Sequence, residues 1–156
     1  MVAPVVRDFL NHCHARFYET AHPRVATALA EANKDHTPAS ELAKTVLIRA
    51  NGQYLLAVLP ANTRIYWPAL VRVLGTTELR LAAEDEIAAL FPELEVGAIP
   101  PLGPLFDMPV FIDARLASHD AIAFNAGSHT NTIHMPFGQF RRLVEPRVCS
   151  FAVADI

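Results

Sequence analysis

Lys44 is the residue whose type and position most favour a chemical role. It is one of two lysines among thirteen basic residues, and it lies in the apolar run 43–50. Strand alternation places Lys44 on the same face as Val46 and Ile48, so its ammonium should lie beside apolar side chains. Burial penalises an unpaired charge, which makes such a lysine a candidate for catalysis or anion binding. The alternative is a strand-end lysine that reaches solvent.

A second candidate is the loop 97–101, which has the pattern Gly-x-x-x-Pro. Glycine lets the backbone approach a ligand or take a positive φ angle, and proline stiffens a loop. The backbone of Gly97, Ala98 and Ile99, held by Pro101, could therefore bind a small polar group. The pattern by itself is weak, because glycine and proline are also common turn formers.

A third candidate is the segment 124–129, which reads Phe-Asn-Ala-Gly-Ser-His. Ser128 and His129 are adjacent, but neighbouring side chains rarely face each other, and catalytic triads assemble from distant positions. The Gly-x-Ser-x-Gly elbow of many serine hydrolases is also missing here. We therefore predict that the backbone of Gly127 and Ser128 lines a pocket, together with His129.

The cysteines and the clustered histidines point to no cofactor. Cys13 and Cys149 lie near opposite ends of the chain, which indicates two ordinary thiols rather than a disulfide framework. The run His-Cys-His at 12–14 is poorly spaced for metal binding on a helix, because residues two apart face different directions. We predict neither a metal site nor a cofactor.

The elements that must position these residues begin with a hairpin. Two strand-like runs, 43–50 and 53–60, are separated by an Asn-Gly pair at 51–52. This pair favours a two-residue type I′ turn, because both residues tolerate positive φ angles. The turn sets a register in which Lys44 faces Leu59, and both faces of the hairpin are largely apolar. The sequence therefore predicts a central hairpin that is covered on both sides.

The other elements are predicted from hydrophobic periodicity and from proline and glycine positions. A helix over 4–20 is followed by a second helix after Pro23, with Ala26, Leu29 and Ala30 on its buried face. Further helices are predicted over 68–74, 84–90 and 136–144, and strands over 79–82, 110–113, 121–126, 132–135 and 148–153. This order lacks strict alternation, so we predict an α+β fold, a single domain over 1–156 with a mixed, partly barrel-like sheet flanked by helices.

Composition and charge restrict the possible partners. Hydrophobic residues make up 52% of the chain, charged residues 19%, and the formal net charge is −3. A protein that wraps nucleic acid is usually basic, so we expect no DNA binding and only small-area contact with any nucleic acid, such as one strand end. The sequence predicts no membrane span, and charged residues in 1–8 arrive before any signal-peptide core, so we expect a cytoplasmic protein.

Five segments together carry a resemblance to a known family. Residues 41–49 (ELAKTVLIR) and 56–60 (LAVLP), then the segments 97–101, 110–113 and 124–129, resemble the YbaK/EbsC family. The His-Pro pair at 22–23 is similar to the N-terminal signature of that family. The family includes the editing insertion of bacterial prolyl-tRNA synthetase and its free-standing relatives. The resemblance covers about 22–151, and the ordered series of motifs is more specific than any one of them.

The resemblance implies a function and assigns roles within it. It implies hydrolysis of the ester that joins a mischarged small amino acid (alanine, serine, threonine or cysteine) to the terminal adenosine of tRNA. The essential lysine of the family corresponds to Lys44, the Gly-x-x-x-Pro loop to 97–101, and the Gly-Ser-His turn to 127–129. Relatives are thought to use neither metal nor protein nucleophile, with the adenosine 2′-hydroxyl helping to activate water. The implied partners are the aminoacyl-tRNA 3′ end and an aminoacyl-tRNA synthetase.

One departure from the family pattern concerns specificity. The segment 65–68 (Ile-Tyr-Trp-Pro) is more aromatic than the resemblance leads us to expect. These residues could belong to the core or to the wall of a pocket. We interpret Trp67 as a core residue, because a lone tryptophan usually serves packing.

Three alternatives to a deacylase stay open. The chain could bind a tRNA 3′ end or a synthetase without hydrolysis, or it could hydrolyse a different small ester. An unrelated small-molecule-binding protein is the residual possibility.

Overall fold

The computed structural model describes residues 1–155. Its helices are α1 (Pro4–His12), α2 (Ala28–Asp35), α3 (Trp67–Leu74), α4 (Glu84–Leu90), α5 (Gly103–Phe106), α6 (Ala114–Ala117) and α7 (Phe137–Val144). Its strands are β1 (Tyr18–Ala21), β2 (Leu42–Ala50), β3 (Gln53–Pro60), β4 (Thr63–Ile65), β5 (Leu79–Leu81), β6 (Val110–Asp113), β7 (Ala121–Asn125), β8 (Asn131–Pro136), β9 (Arg147–Cys149) and β10 (Ala152–Ala154).

The predicted hairpin is the centre of the fold. Asn51 and Gly52 take φ angles of 50° and 78°, as a type I′ turn requires. The register follows from this turn, and Lys44 pairs with Leu59 as predicted. One face of the hairpin packs with α3 and Phe151, and the other packs with α1, α7 and the loop around residue 99. The hairpin is therefore covered on both sides, which confirms the prediction.

The sheet built around the hairpin is mixed. It has eight strands, seven of which lie in the order β1-β8-β7-β2-β3-β6-β9, and the eighth, β5, pairs with β2. Strands β4 and β10 form a separate two-stranded sheet. Pairing is parallel between β2 and β7, β3 and β6, and β6 and β9, and antiparallel elsewhere. The predicted α+β class with a mixed sheet and flanking helices is confirmed.

The sheet opens beside Lys44. Strand β2 pairs with β7 only through Leu42 and Ala43, and it pairs with β5 only from Ile48 onward. Within the described chain, residues 44–46 therefore have no strand partner on that side. This unpaired stretch leaves an open edge of β2, and it begins at Lys44.

Two N-terminal helix predictions were wrong in their extent. Helix α1 ends at His12, and His14 takes a φ angle of 54°, which turns the chain so that 18–21 pairs with β8 as an edge strand. Helix α2 starts only at Ala28, because the Thr27 side chain caps it by accepting from the Ala30 N–H at 3.1 Å.

The predicted buried face of α2 was also wrong. Its buried residues are Glu31 and Ala32, whereas Leu29 and Ala26 are exposed. The face is set by the strands beneath it, where Leu42 and Ala123 pack against Ala32.

The predicted strand over 148–153 is divided into β9 and β10. The buried Asp113 carboxylate accepts from the N–H groups of Phe151 and Ala152 at 2.9 and 2.8 Å. These bonds hold a corner in the chain, so β9 joins β6 while β10 joins β4. No helix among residues 1–155 is long and apolar enough to cross a membrane.

Candidate active site

Lys44 lies half-buried in β2 and lines a cavity of about 310 Å³. The cavity, called the Lys44 cavity below, is lined by Lys44, Val46, Leu59, Arg64, Ile65, Trp67 and Leu81. Burial lowers the pKa of Lys44 from its ordinary value, and the negative charge of Asp155 opposes that shift. No salt bridge within residues 1–155 includes Lys44. The cavity therefore holds a partly desolvated cation that can attract an anionic or strongly polar group.

The predicted loop at 97–101 is packed into the protein rather than exposed. Gly97 takes a φ angle of 85°, and the four residues after it are buried. The Ala98 N–H already donates to the Glu95 carbonyl at 3.1 Å, so this amide is not free for a ligand. Within residues 1–155, the N–H groups of Gly97 and Ile99 donate to no protein group. In this loop, these two amides are therefore without a protein acceptor.

The Gly-Ser-His turn is packed against the N-terminal helix. Gly127 takes a φ angle of 83°, and a Cβ there would lie 2.7 Å from the Ala3 Cβ and 2.8 Å from the Leu94 Cδ2. The buried Ser128 hydroxyl lies 3.3 Å from the Thr130 hydroxyl. The tight packing leaves room only for glycine at position 127, which gives this turn a fixed shape.

His129 joins the turn to the loop. Its backbone N–H donates to the Glu95 Oε2 at 2.6 Å, and its Nε2 lies 2.6 Å from the Val96 carbonyl oxygen. A carbonyl only accepts, so Nε2 carries the proton and Nδ1 is left as the second ring nitrogen. The ring also covers Gly97, where a Cβ would lie 3.5 Å from its Cε1. Residues 97–101 and 127–129 thus form one structure, called the loop–turn unit below.

Glu95 is the residue that ties the loop–turn unit together. Its carboxylate accepts from the His129 N–H and from the Arg24 side chain at 2.9 Å. Burial raises the pKa of Glu95, but the hydrogen bonds from His129 and Arg24 outweigh burial, and the pKa lies below its ordinary value. Glu95 is therefore an ionised clamp rather than a proton donor.

Ser128 and His129 do not form a nucleophile and its base. The Ser128 hydroxyl contacts Thr130, while the His129 ring contacts Val96. The thiol of Cys149 is no substitute, because burial, with a smaller effect of Asp113, raises its pKa and disfavours the thiolate. Neither Ser128 nor Cys149 is therefore arranged as an activated nucleophile.

A buried polar cluster lies beneath α2. The Glu31 carboxyl, 2% exposed, accepts from the Thr132 hydroxyl at 2.5 Å and lies 3.9 Å from the His22 Nε2. The Asn125 side-chain amide also lies against this carboxyl. Burial raises the pKa of Glu31 to about 7, while the Thr132 bond lowers it and the charge of Asp35 raises it further. Glu31 thus changes its charge close to neutral pH.

The structure brings some predicted site residues together and keeps others apart. The loop 97–101 and the turn 127–129 meet directly, as described above. Lys44 faces the other side of the sheet from Ile99, which packs in the cluster that contains Ala43. The link between the two regions is β7, which pairs with Ala43 and runs on into the turn. Lys44 therefore follows directly after Ala43, at which β2 pairs with the strand that leads into the turn 127–129.

Sequence reasoning missed several residues around these sites. Glu95 stands two positions before Gly97, and an acid beside a glycine loop was a signal that could have been followed. Trp67 is 37% exposed and lines the Lys44 cavity, so its assignment to the core was wrong. The helix that begins at Trp67 buries Ala69 and Leu70 instead. Within residues 1–155, no group of three or more His, Cys, Asp or Glu side chains could hold a metal ion.

Sequence relatives of this chain are synthetases. It is 28% identical over 151 residues to the proline–tRNA ligase of Staphylococcus aureus strain JH1, and the match covers 86% of this chain and 26% of that protein. Matches of the same extent occur in strains Mu3 and MW2. The chain thus spans about a quarter of the length of these relatives.

Solved structures share the fold at low sequence identity. A protein proposed to be a trans-editing enzyme for prolyl tRNA synthetase superposes with a TM-score of 0.82 at 18% identity, covering 99% of this chain and all 100% of that one. A protein from Marinobacter aquaeolei VT8, provisionally described as a signal transduction protein, gives 0.76 at 23% identity. That match covers 96% of this chain and 30% of the other, and both likenesses concern the fold.

The family assignment rests on the match between residues 22–143 and the aminoacyl-tRNA editing domain. The matched region includes β2 with Lys44, both parts of the loop–turn unit and the buried cluster beneath α2. It also agrees with the resemblance seen in the sequence motifs. The chain belongs to the aminoacyl-tRNA editing domain family.

Proposed function

We propose that this protein hydrolyses mischarged aminoacyl-tRNA in trans, at the ester on the 3′-terminal adenosine. The observation that carries the proposal is Lys44, a half-buried cation that has no salt bridge within residues 1–155 and lines a cavity beside the open edge of β2. A cation in such a place is suited to bind the negatively charged end of a tRNA. Membership of the editing domain family supports the same reading.

The proposed reaction needs little from the protein. Water adds to the ester carbonyl carbon, and the bond from that carbon to the ribose oxygen breaks, which releases the amino acid and the tRNA hydroxyl. An aminoacyl ester is already activated, so orientation of the substrate and stabilisation of the oxyanion are the main contributions required. Lys44 supplies positive charge to the ester in its cavity. The amides of Gly97 and Ile99, which donate to no protein group within residues 1–155, are available to a part of the substrate that reaches the other side of the sheet.

His129 has a positioning role in this scheme. Its ring bond to Val96 and its backbone bond to Glu95 hold the turn against the loop. The Nδ1 atom, left without the proton, is the atom through which His129 could accept a hydrogen bond from substrate or water. Ser128 and Gly127 contribute the shape of the turn.

The acyl groups that we propose are alanine, serine, threonine and cysteine. The Lys44 cavity, at about 310 Å³, is shared between substrate atoms and the nucleotide end, which leaves room for small side chains. Substrates that differ by one methylene are distinguished only modestly by such a cavity, so we expect more than one to be accepted. An aminoacyl-tRNA synthetase is the proposed protein partner, because the sequence relatives carry this domain within a synthetase.

A second function, binding of a tRNA 3′ end without hydrolysis, is favoured by one observation. The loop–turn unit is largely satisfied internally, with the Ala98 amide and the His129 ring already bonded to protein groups. With few free donors, the loop–turn unit can contribute little to stabilising an oxyanion, which favours a function without hydrolysis in which Lys44 holds the strand end.

Deacylation assays separate these two functions. tRNAs charged with alanine, serine, threonine or cysteine are incubated with the protein, with Lys44→Ala, and with Lys34→Ala as a matched control, since Lys34 is exposed on α2. We expect hydrolysis of at least one substrate by the native protein and by Lys34→Ala, and its loss in Lys44→Ala. No hydrolysis at high protein concentration, with retained tRNA binding, would instead establish the binding function.

A further inference from the structure

One aromatic side chain at the Lys44 cavity is accessible to solvent. Trp67 is 37% exposed and lines the cavity, and its neighbour Tyr66 is 46% exposed. An indole that keeps an accessible face at a cavity offers a surface on which an aromatic ligand can stack.

The charges around the cavity are mainly positive. Arg64 is exposed and lines the cavity with Lys44, and the cavity lining contains no acid. Within residues 1–155, Arg64 forms neither a salt bridge nor a hydrogen bond through its side chain, whereas Arg49 and Arg80 both pair with Glu86. Among residues 1–155, Asp155 is the acid whose charge acts on Lys44. Arg64 is thus a guanidinium whose hydrogen-bonding capacity is left for a ligand.

The backbone that carries these side chains is held firmly. Strand β4 pairs with β10 over three residues, and Arg64 is opposite Val153. The Tyr66 N–H donates to the Phe151 carbonyl at 2.7 Å, and the buried Thr63 hydroxyl donates to the Pro60 carbonyl at 2.7 Å. A fixed backbone lowers the entropic cost of binding, so the side chains are arranged before a ligand arrives.

We propose that Arg64 and Trp67 form a binding site for a single-stranded nucleotide end, with a base stacked on Trp67 and a phosphate contacted by Arg64. Aromatic faces that accept bases, combined with cations that follow the backbone, are the common means of binding single strands. The site lies at the mouth of the cavity in which Lys44 meets the ester, so it rests on the proposed function and names the part of the substrate held there.

The chain offers a direct probe, because Trp67 is its single tryptophan. An RNA oligonucleotide that ends in adenosine is titrated into the native protein, and the tryptophan fluorescence is recorded. We expect saturable quenching, since a stacked base perturbs the indole. The affinity should fall with salt concentration, because phosphate contacts release counterions.

Arg64→Ala tests the phosphate contact, with Arg72→Ala as the matched control, since Arg72 is exposed on the neighbouring α3. We expect Arg64→Ala to weaken RNA binding about tenfold and to reduce the salt dependence by roughly one phosphate contact. Arg72→Ala should bind like the native protein. Equal effects of the two substitutions would overturn the proposal, because a general charge effect would then explain the binding.

Trp67→Leu tests the stacking contact while keeping an apolar side chain at this position. In deacylation assays we expect its KM for aminoacyl-tRNA to rise about tenfold with kcat little changed, as loss of a remote binding contact predicts. Circular dichroism of the variant checks that it is folded. An unchanged KM in a folded variant would overturn the proposal, as would quenching by an acidic peptide but not by RNA.

These readouts separate failure of the site from failure of the proposed function. Fluorescence quenching that depends on Arg64, without hydrolysis of any aminoacyl-tRNA, would support the nucleotide site and refute the deacylase. Hydrolysis that depends on Lys44 but not on Trp67 or Arg64 would support the deacylase and refute the nucleotide site.

Discussion

The Lys44 cavity and the loop–turn unit are built in opposite ways. In the cavity, Lys44 and Arg64 have no salt-bridge partner within residues 1–155, and Trp67 is partly exposed. In the loop–turn unit, by contrast, Glu95 and His129 bond to other parts of the protein, and the glycines are fitted closely. The charged groups of the Lys44 cavity are thus available to a ligand, whereas most polar groups of the loop–turn unit are hydrogen-bonded within the protein.

This difference indicates that the two regions have different roles, one in binding and one in shaping the site. Groups that bind a ligand must be available, whereas groups that shape a site must be bonded and packed. We therefore expect substitutions in the Lys44 cavity to change activity with little effect on stability. Substitutions in the loop–turn unit should change stability first, and activity as a consequence.

Lys44→Ala should give the largest effect on activity. We expect the rate of aminoacyl-tRNA hydrolysis to fall about 100- to 1,000-fold, the range for loss of one group that stabilises developing charge. The free energy of unfolding, measured with urea, should change by less than about 1 kcal/mol, because the ammonium has no salt-bridge partner within residues 1–155 to lose. A large loss of stability would break the comparison, since Lys44 would then be a structural residue.

Gly127→Ala should give the largest effect on stability. The new Cβ would lie within 3 Å of Ala3 and Leu94 side-chain atoms, at a φ angle of 83°. We expect a loss of about 3 kcal/mol in the free energy of unfolding, from the clash and the strained backbone together.

Gly75→Ala is the matched control, because Gly75 takes a φ angle of 70° but has open space at the Cβ position. Backbone strain alone should cost it about 1 kcal/mol. Equal losses for the two glycines would mean that the close packing of the turn has no energetic importance.

Glu31→Gln should change the pH dependence of stability. The folded-state pKa of about 7 exceeds the ordinary value of 4.5, so the stability contributed by this group is complete below pH 4.5 and is lost as pH rises through 7. Because glutamine does not ionise, the variant does not lose stability in this pH range. Each pKa unit corresponds to about 1.4 kcal/mol in the free energy of unfolding. Urea unfolding should therefore show a larger gain, variant over native, at pH 8 than at pH 5. A gain that is equal at both pH values would show that Glu31 does not ionise in this range.

Asp155→Asn should give the smallest effect. The Asp155 charge raises the pKa of Lys44 against the effect of burial, so its removal should lower that pKa further. In a plot of deacylation rate against pH, the fall in rate at high pH should therefore begin at a lower pH. Glu145→Gln, a control at an exposed position, should leave the plot unchanged. An unmoved profile in Asp155→Asn would mean that the protonation of Lys44 does not govern the rate.

Local patterns in the sequence predicted much of the fold. The Asn-Gly pair at 51–52 set the register of the hairpin, Gly75 ended α3 in a left-handed conformation, and the acids at 84–86 marked the start of α4. Each of these features depends on a few neighbouring residues, because turns, caps and first-turn charges act over short range. The motif segments also identified the family, which residues 22–143 confirm.

Features that depend on distant contacts could not be predicted from sequence. The strand over 18–21 exists because β8 pairs with it, and the corner between β9 and β10 exists because the Asp113 carboxylate binds two backbone N–H groups. The same holds for the pairing of the loop 97–101 with the turn 127–129, which Glu95 secures.

The sequence by itself determined which residues could do chemistry, since Lys44 was distinguished by its type and its place in an apolar strand. Only the tertiary structure decided what surrounds it. Strand β4 and helix α3 bring Arg64 and Trp67 to the cavity, and the short pairing of β7 with β2 leaves the edge of β2 open from Lys44 onward. The physical reason is that burial and pairing are properties of the folded arrangement, in which residues distant in the chain compete for the same surface.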